Sequence, residues 1–529
     1  MISVPSAPQV LHPTLGSASV TVPSKSDPIH PETSTAPSSS SSPSHAPATT
    51  ECRRSKNYLV RSHSSRLVLL SDEITPRDMA QSMIQAQYHI YHTDLSGYLA
   101  GGAMVQDALT KYALGGTTKD LYQTFKRFRQ DKERIPPTPT ITITARNWRD
   151  WLGHKSYYHD YLDFFDQELR QLEAKVIKES SSSETSGSDS LSGPWSATSS
   201  SPLAVAMARM VSEYLTPLIP GLCASTGALI HLGYGVEFGS RSATVEGLAY
   251  ACISYQPATT CFIPTSSGSI FSSKSSAGSK GNKSPSMTIL NMIRNDKRLD
   301  GMFDACFQAK LNVVMTSRES LLKSYLNMWT SQVHSVSEAL LDLSQTTSLL
   351  LFTAKGRHGD EQQLDKYLAN VLLATHAARF LVKVLPSEQE KGQLLKAIWM
   401  SLVATYVVQG RPKISASLPV MTDACHQESN VMTGVVAEEE EYHERGTAKM
   451  ADMVTIDSEK CDLIRVPTGR WKALSQEAIH ADHQIVSKIV RSLWWAELEH
   501  GRRGDLFYEA AVKAVGEDPT SDESTGPGF

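Results

Sequence analysis

The chain has 529 residues, 40% of them apolar and 20% charged, with a formal net charge of −4. That length suits one large domain with insertions or two or three smaller ones, and the charge provides no pull toward phosphate backbones. No Lys/Arg run lines a groove, so a nucleic-acid partner is not expected.

In chain order, residues 1–55 are dominated by Ser, Pro and Thr, a composition that cannot bury enough apolar surface to order itself. The start, MISVPSAPQVLHP, has neither a basic n-region nor an apolar h-region, so no secretory signal is expected. TPTITITAR, 138–146, is the best period-2 segment and reads as a lone extended stretch. Helical spacing follows in 204–215, where Val205, Met207, Met210, Val211, Tyr214 and Leu215 recur on one face. A second helix is carried by Leu364, Leu368, Val371, Leu372, Thr375, Ala378, Val382 and Leu385, and Pro386 ends it. LLKAIWMSLVATYVV contains Lys396 and is too short to span a bilayer, so it reads as a buried helix. A further helix is expected from Ile485, Val486, Ile489, Val490, Leu493 and Trp494. Low-complexity insertions near 178–201, 262–286 and 426–448, the last holding the acidic run 438–441, interrupt this pattern. The segments between them are too short to be separate folds. The expected architecture is therefore a single, predominantly α domain over 56–515, with 516–529 a second disordered tail.

The seven cysteines are scattered and never spaced as CxxC, which argues against a disulfide framework and for a reducing, cytoplasmic setting. Common cofactor fingerprints are missing. GYGVEFG, 233–239, has the wrong glycine spacing for a Rossmann turn, and GSKGNKS, 278–284, is no Walker A loop. No GxSxG elbow or HExxH motif occurs. Three HxD dyads (His92–Asp94, His358–Asp360, His480–Asp482) show how cheaply that pattern arises.

One block stands out: LTPLIPGLCASTGALIHLGYGVEFGSRSATVEGLAYACISY, 215–255, with His231, Leu-Gly-Tyr-Gly and Glu237-Phe238 in succession. Together with LTKYALGGTTKDLYQTF, NWRDWLGHKSYYHDYLDFFDQEL, THAARFLVKVLP, LLKAIWMSLVATYVVQGRP and KIVRSLWWAELEHG, it resembles the fungal questin oxidase family over roughly 85–515. The resemblance implies secondary metabolism: NADPH-dependent Baeyer–Villiger-type insertion of oxygen from O2 into an anthraquinone-type polyketide, opening the ring toward benzophenones and xanthones. Some relatives are instead non-haem Fe(II) ring-cleaving dioxygenases that use histidines and a carboxylated lysine.

Oxygen insertion beside a ketone needs activated oxygen and a polarised carbonyl, and side chains alone activate dioxygen poorly. His231 is the candidate to polarise the carbonyl or bind a phenol, with Glu237 orienting it and Tyr234 donating to a quinone carbonyl. Gly233 and Gly235 would admit a close approach of backbone or substrate. For the iron alternative, His231, His376, Lys383 and His483 are the candidate ligands. His376 and Lys383 lie seven residues apart, nearly on one helix face, and the lysine leans back toward the histidine. His89, His92 and His480 are further options. Where the family's helix before YALG carries histidines, this chain has Ala103, Gln106 and Asp107, which places the iron reading behind the NADPH-dependent one. A helical protein that binds polyketides without turnover is the third expectation.

Overall fold

Structural description covers residues 74–90, 104–130, 141–182, 201–263, 284–301, 305–353, 364–414, 466–481 and 483–516 of a computed structural model. All of them belong to one unit, Tyr58–Phe529. Their regular structure is entirely helical. The helices are α1 (Pro76–Ile90), α2 (Met104–Ala113), α3 (Thr118–Gln130), α4 (Tyr158–Ser182), α5 (Pro202–Leu215) and α6 (Thr226–Glu237). They continue with α7 (Arg241–Ile253), α8 (Pro285–Asn295), α9 (Phe307–Ser317), α10 (Glu319–Thr330) and α11 (Val336–Thr353). The last five are α12 (Lys366–Val384), α13 (Glu388–Val408), α14 (Arg470–His480), α15 (Gln484–His500) and α16 (Leu506–Gly516).

Local chemistry sets these boundaries. Ser201 caps α5 ahead of Pro202, whose ring suits the first helical turn. Asp365 accepts from the amides of Tyr367 and Leu368 to start α12. That helix stops before Pro386, and Ser387 then opens α13 with Glu390 in a capping box. The three helices expected at 204–215, 364–385 and 485–494 are α5, α12 and α15, and the apolar run in 394–408 is the buried half of α13. No described helix is long and apolar enough to cross a membrane.

Two expectations need adjustment at their edges. Residues 141–146, the described part of the extended segment, pair with no strand among the described residues, and the last two already belong to a turn held by Asn147. Of the insertion expected at 178–201, the first residues extend α4 to Ser182; of that at 262–286, Phe262 and Ile263 are buried and Ser284 caps α8. Residues 1–55, the insertion 426–448 and the tail from 517 lie outside the described residues.

The site depends on three helices that touch backbone to backbone. A β-carbon at Gly233 would stand 2.5 Å from Ala377 Cβ on α12, and one at Gly235 would stand 2.6 Å from the Thr244 amide on α7. Gly247 of α7 returns the contact, its absent β-carbon falling 2.6 Å from Leu232 Cα. Gly239, at φ +58°, turns the chain between α6 and α7, a conformation that costs glycine nothing. The signature glycines thus bring helices together. α15 closes the arrangement by packing on both α12 and α2.

Candidate active site

α6 presents polar side chains to opposite sides of this packed group. Residues six apart are turned about 240° from each other on a helix, so His231 and Glu237 face different neighbours. His231, fully buried, places Nε2 2.9 Å from Glu246 Oε2 on α7. Glu246 also accepts from Gln87 Nε2 at 3.1 Å, and Gln87 Oε1 accepts from the Val105 amide at 3.1 Å, tying α1 to the start of α2. The residue that orients His231 is therefore Glu246, where the sequence pointed to Glu237. Nδ1 of His231 has no hydrogen-bond partner among the described residues.

Glu237 belongs to a second group. Its Oε1 accepts from Arg491 Nη2 of α15, and its Oε2 lies 3.6 Å from His376 Nε2 of α12. Arg491 Nη1 in turn lies 3.2 Å from His376 Nε2. The three side chains are 2–7% exposed. Burial pushes the Glu237 carboxyl up, but the Arg491 guanidinium and His376 outweigh it and leave it below the usual carboxylate range. Burial also holds the His376 imidazole down to about 4, with Arg491 and Arg379 adding to the effect and Glu237 opposing it. The group thus comprises an ion pair beside a neutral imidazole.

Aromatic rings surround it. The Arg491 guanidinium lies 4.8 Å from the Phe238 ring and 5.4 Å from the Tyr234 ring, and those two rings are parallel within 5°. On the other side His376 meets Phe380 edge-on at 5.3 Å, and Phe380 meets Trp495 at 5.4 Å. Phe238 and Trp495 are only half-buried, so the cluster sits beneath the edge of the molecule. Tyr234 shares a hydrogen bond of 2.7 Å with Thr110 of α2, and burial raises its phenol pKa against the pull of Arg491 and Lys488. One turn away Lys488 pairs with Asp107 at 2.6 Å, both buried.

The four ligands of the iron alternative do not converge. Lys383 is exposed, with its ammonium 5.2 Å from the Phe380 ring, and His483 is an exposed cap that accepts from the Ile485 amide. His231 and His376 are engaged with different carboxylates. His480 ends α14 and faces Asp120 at 3.6 Å; Ala103, His92 and the side chain of His89 lie outside the described residues. Among the described residues no group of three or more His, Cys, Asp or Glu is placed to hold a metal ion. Of the positions compared with family histidines, Asp107 serves Lys488.

The family model for questin oxidase-like proteins matches residues 103–493, well over half of the chain. The chain belongs to the questin oxidase-like family. Membership makes it an oxidase of a family named for an anthraquinone substrate, and the resemblance carried by 215–255 holds. No curated protein matches the chain. Within this questin oxidase-like chain the matched stretch contains every group of the site except Gln87 and Trp495.

Sequence reasoning missed Glu246, Gln87 and Arg491. A signal was present for two of them: Glu246 is the only carboxylate in the run SATVEGLAYACI, and Arg491 lies inside an apolar stripe. A charge at such a position must find a buried partner.

Proposed function

We propose that this questin oxidase-like protein inserts one oxygen atom from O2 beside a carbonyl of an anthraquinone-type polyketide, opening the ring toward a benzophenone or xanthone precursor in fungal secondary metabolism. The observation that supports the reading best is the buried Glu237–Arg491–His376 group framed by Tyr234, Phe238, Phe380 and Trp495. Aromatic faces suit a flat polycycle, and a small set of fixed polar groups suits its carbonyl and hydroxyl oxygens. Tyr234 adds a neutral phenol at the same wall. His231, held by Glu246, supplies an imidazole whose Nδ1 is open to take or give a proton at a phenol.

The second oxygen atom leaves as water, which takes two electrons, and NADPH is the donor this reading names. Arg491, Lys488 and Arg379 are each matched by a carboxylate and have no spare charge for the phosphates of that nucleotide. The test is direct. Purified protein is incubated in air with a hydroxylated anthraquinone and NADPH, and the products are separated by mass. Ring-opened product is expected from the wild type, and about 100-fold less from Arg491→Met, the loss typical of removing a group that stabilises developing charge. An anthraquinone left unchanged with NADPH, and also with added Fe(II), overturns the reading.

A further inference from the structure

The polar groups of the candidate site are shut inside the fold: His231, Tyr234, Glu246, His376, Lys488 and Arg491 are all buried. A flat polycycle reaches them only where a covering element moves. α1, α2 and α3 are built as such an element. They have a small core of their own, in which Met79, Ala80 and Met83 of α1 meet Met104 and Ala108 of α2 and Leu121 and Phe128 of α3. That core is separate from the main one and rich in methionine, whose unbranched thioether adapts to small shifts of its neighbours. Other positions of α1 and α2, namely Ile84, Tyr88, Val105 and Leu109, pack on the main core.

Beside those apolar side chains, the junction between this layer and the body has polar links whose far ends are groups of the site. Gln87 of α1 donates at 3.1 Å to Glu246, the carboxylate that holds His231. Thr110 of α2 shares its 2.7 Å hydrogen bond with Tyr234, and Asp107 pairs with Lys488 at 2.6 Å. Nearer the surface, exposed Gln85 donates to Ser242 at 3.2 Å, and Asp120 of α3 faces His480 at 3.6 Å. Parting apolar side chains exposes them to water at full cost, whereas a polar pair exchanges its partner for water, so its net hold is small. Helices with a core of their own on a partly polar junction can therefore move as a unit.

We infer that α1–α3 is a movable cap that lifts from α6, α7 and α15 to admit a flat aromatic ligand and closes over it, an inference that rests on the oxidase reading above. In the closed state Gln87, Thr110 and Asp107 fasten the cap and also set Glu246, Tyr234 and Lys488 in place. Closure and assembly of the site are then one event, and reopening releases the product.

Gln85 and Ser242 lie at the edge of the junction and outside the site, so the experiment changes both to Cys and bridges them with a short bis-methanethiosulfonate, which a reducing agent removes. Wild type and each single variant, treated in the same way, are the controls. Turnover and the association rate of a hydroxylated anthraquinone should be lost in the bridged double variant and return on reduction. Hydrogen exchange of the wild type supplies the second arm. Amides of α1–α3, that of Val105 included, should exchange together and faster than those of α12 and α13, and should slow when the anthraquinone is added. Thr110→Val should speed exchange in α1–α3 about fivefold, the factor a lost hydrogen bond represents, and leave α12 and α13 unchanged. Amides of α1–α3 that exchange no faster than those of α12 and α13 overturn the cap. Ring opening that the bridge does not slow overturns the cap alone. A bridge that blocks binding, in a protein whose unbridged form yields no ring-opened product, overturns the oxidase reading alone, and an anthraquinone that binds neither form overturns both.

Discussion

Two buried polar groups in this molecule each set one carboxylate among donors, and they differ in completeness. Asp342 on α11 is 4% exposed and has no cationic partner among the described residues, yet its carboxylate is well supplied with donors. It accepts from the hydroxyls of Ser284 and Ser286, from the Ser286 amide at 3.2 Å and from Trp329 Nε1 at 2.8 Å. Trp399 then donates to Ser286 at 2.9 Å. The Arg491 group has an ion pair and an imidazole, but Arg491 Nε and His376 Nδ1 have no hydrogen-bond partner among the described residues. A saturated network fastens helices, here α8 and α10 to α11 and α13. An unsaturated one, beneath half-buried rings, keeps donor capacity that the described residues do not use. Completeness, more than charge or burial, separates the two roles.

Three perturbations bear on that contrast. The largest effect is expected from Asp342→Ala, which strands an indole N–H, an amide and two hydroxyls in the core. Stability should fall by about 3 kcal/mol or more in urea unfolding, while activity per folded molecule survives. Equal loss of activity in the folded fraction would erase the distinction.

A smaller effect should appear on acidification. Burial holds His376 and His500 down to about 4, against 6.5 ordinarily, so the unfolded chain takes up these protons first as pH falls. Their contribution is present above about pH 6.5 and is lost between there and about pH 4, with a slope of at most about 1.4 kcal/mol per pH unit for each histidine. Glu237, held below the usual carboxylate range, adds stability that disappears as pH falls further. His376→Gln should flatten the first part of this decline; an unchanged slope would show that His376 is not neutral in the fold.

The smallest effect is expected from Lys383→Met, on the exposed side of α12. Stability should change by about 0.5 kcal/mol or less and turnover should hardly move. Loss of turnover together with loss of protein-bound iron would instead restore the carboxylated-lysine reading.

Much of the fold was legible because helical periodicity and caps are local. α5, α12 and α15 follow from apolar spacing, and the end of α12 follows from Pro386. The candidate site was legible along α6 and at His376, which the sequence offered only as a metal ligand. His231, Tyr234 and Glu237 could be singled out because they share one short block, but the partners of Tyr234 and Glu237 are far away in sequence. Glu237 and Arg491 are separated by 254 positions and His376 and Arg491 by 115, and no local pattern links them. The pairing of His231 with Glu237 failed for a geometric reason, since a spacing of six turns two side chains away from each other. The glycines at 233 and 235 were read as admitting either backbone or substrate, and it is the neighbouring helices, at Ala377 and Thr244, that come close.

The central claim is insertion of a single oxygen atom at the Arg491 group, and it is tested most directly by turnover under 18O2. Ring-opened product from a hydroxylated anthraquinone and NADPH should carry one heavy oxygen, and Arg491→Met should form about 100-fold less of it. Two heavy oxygens in the product, or none, would contradict the account.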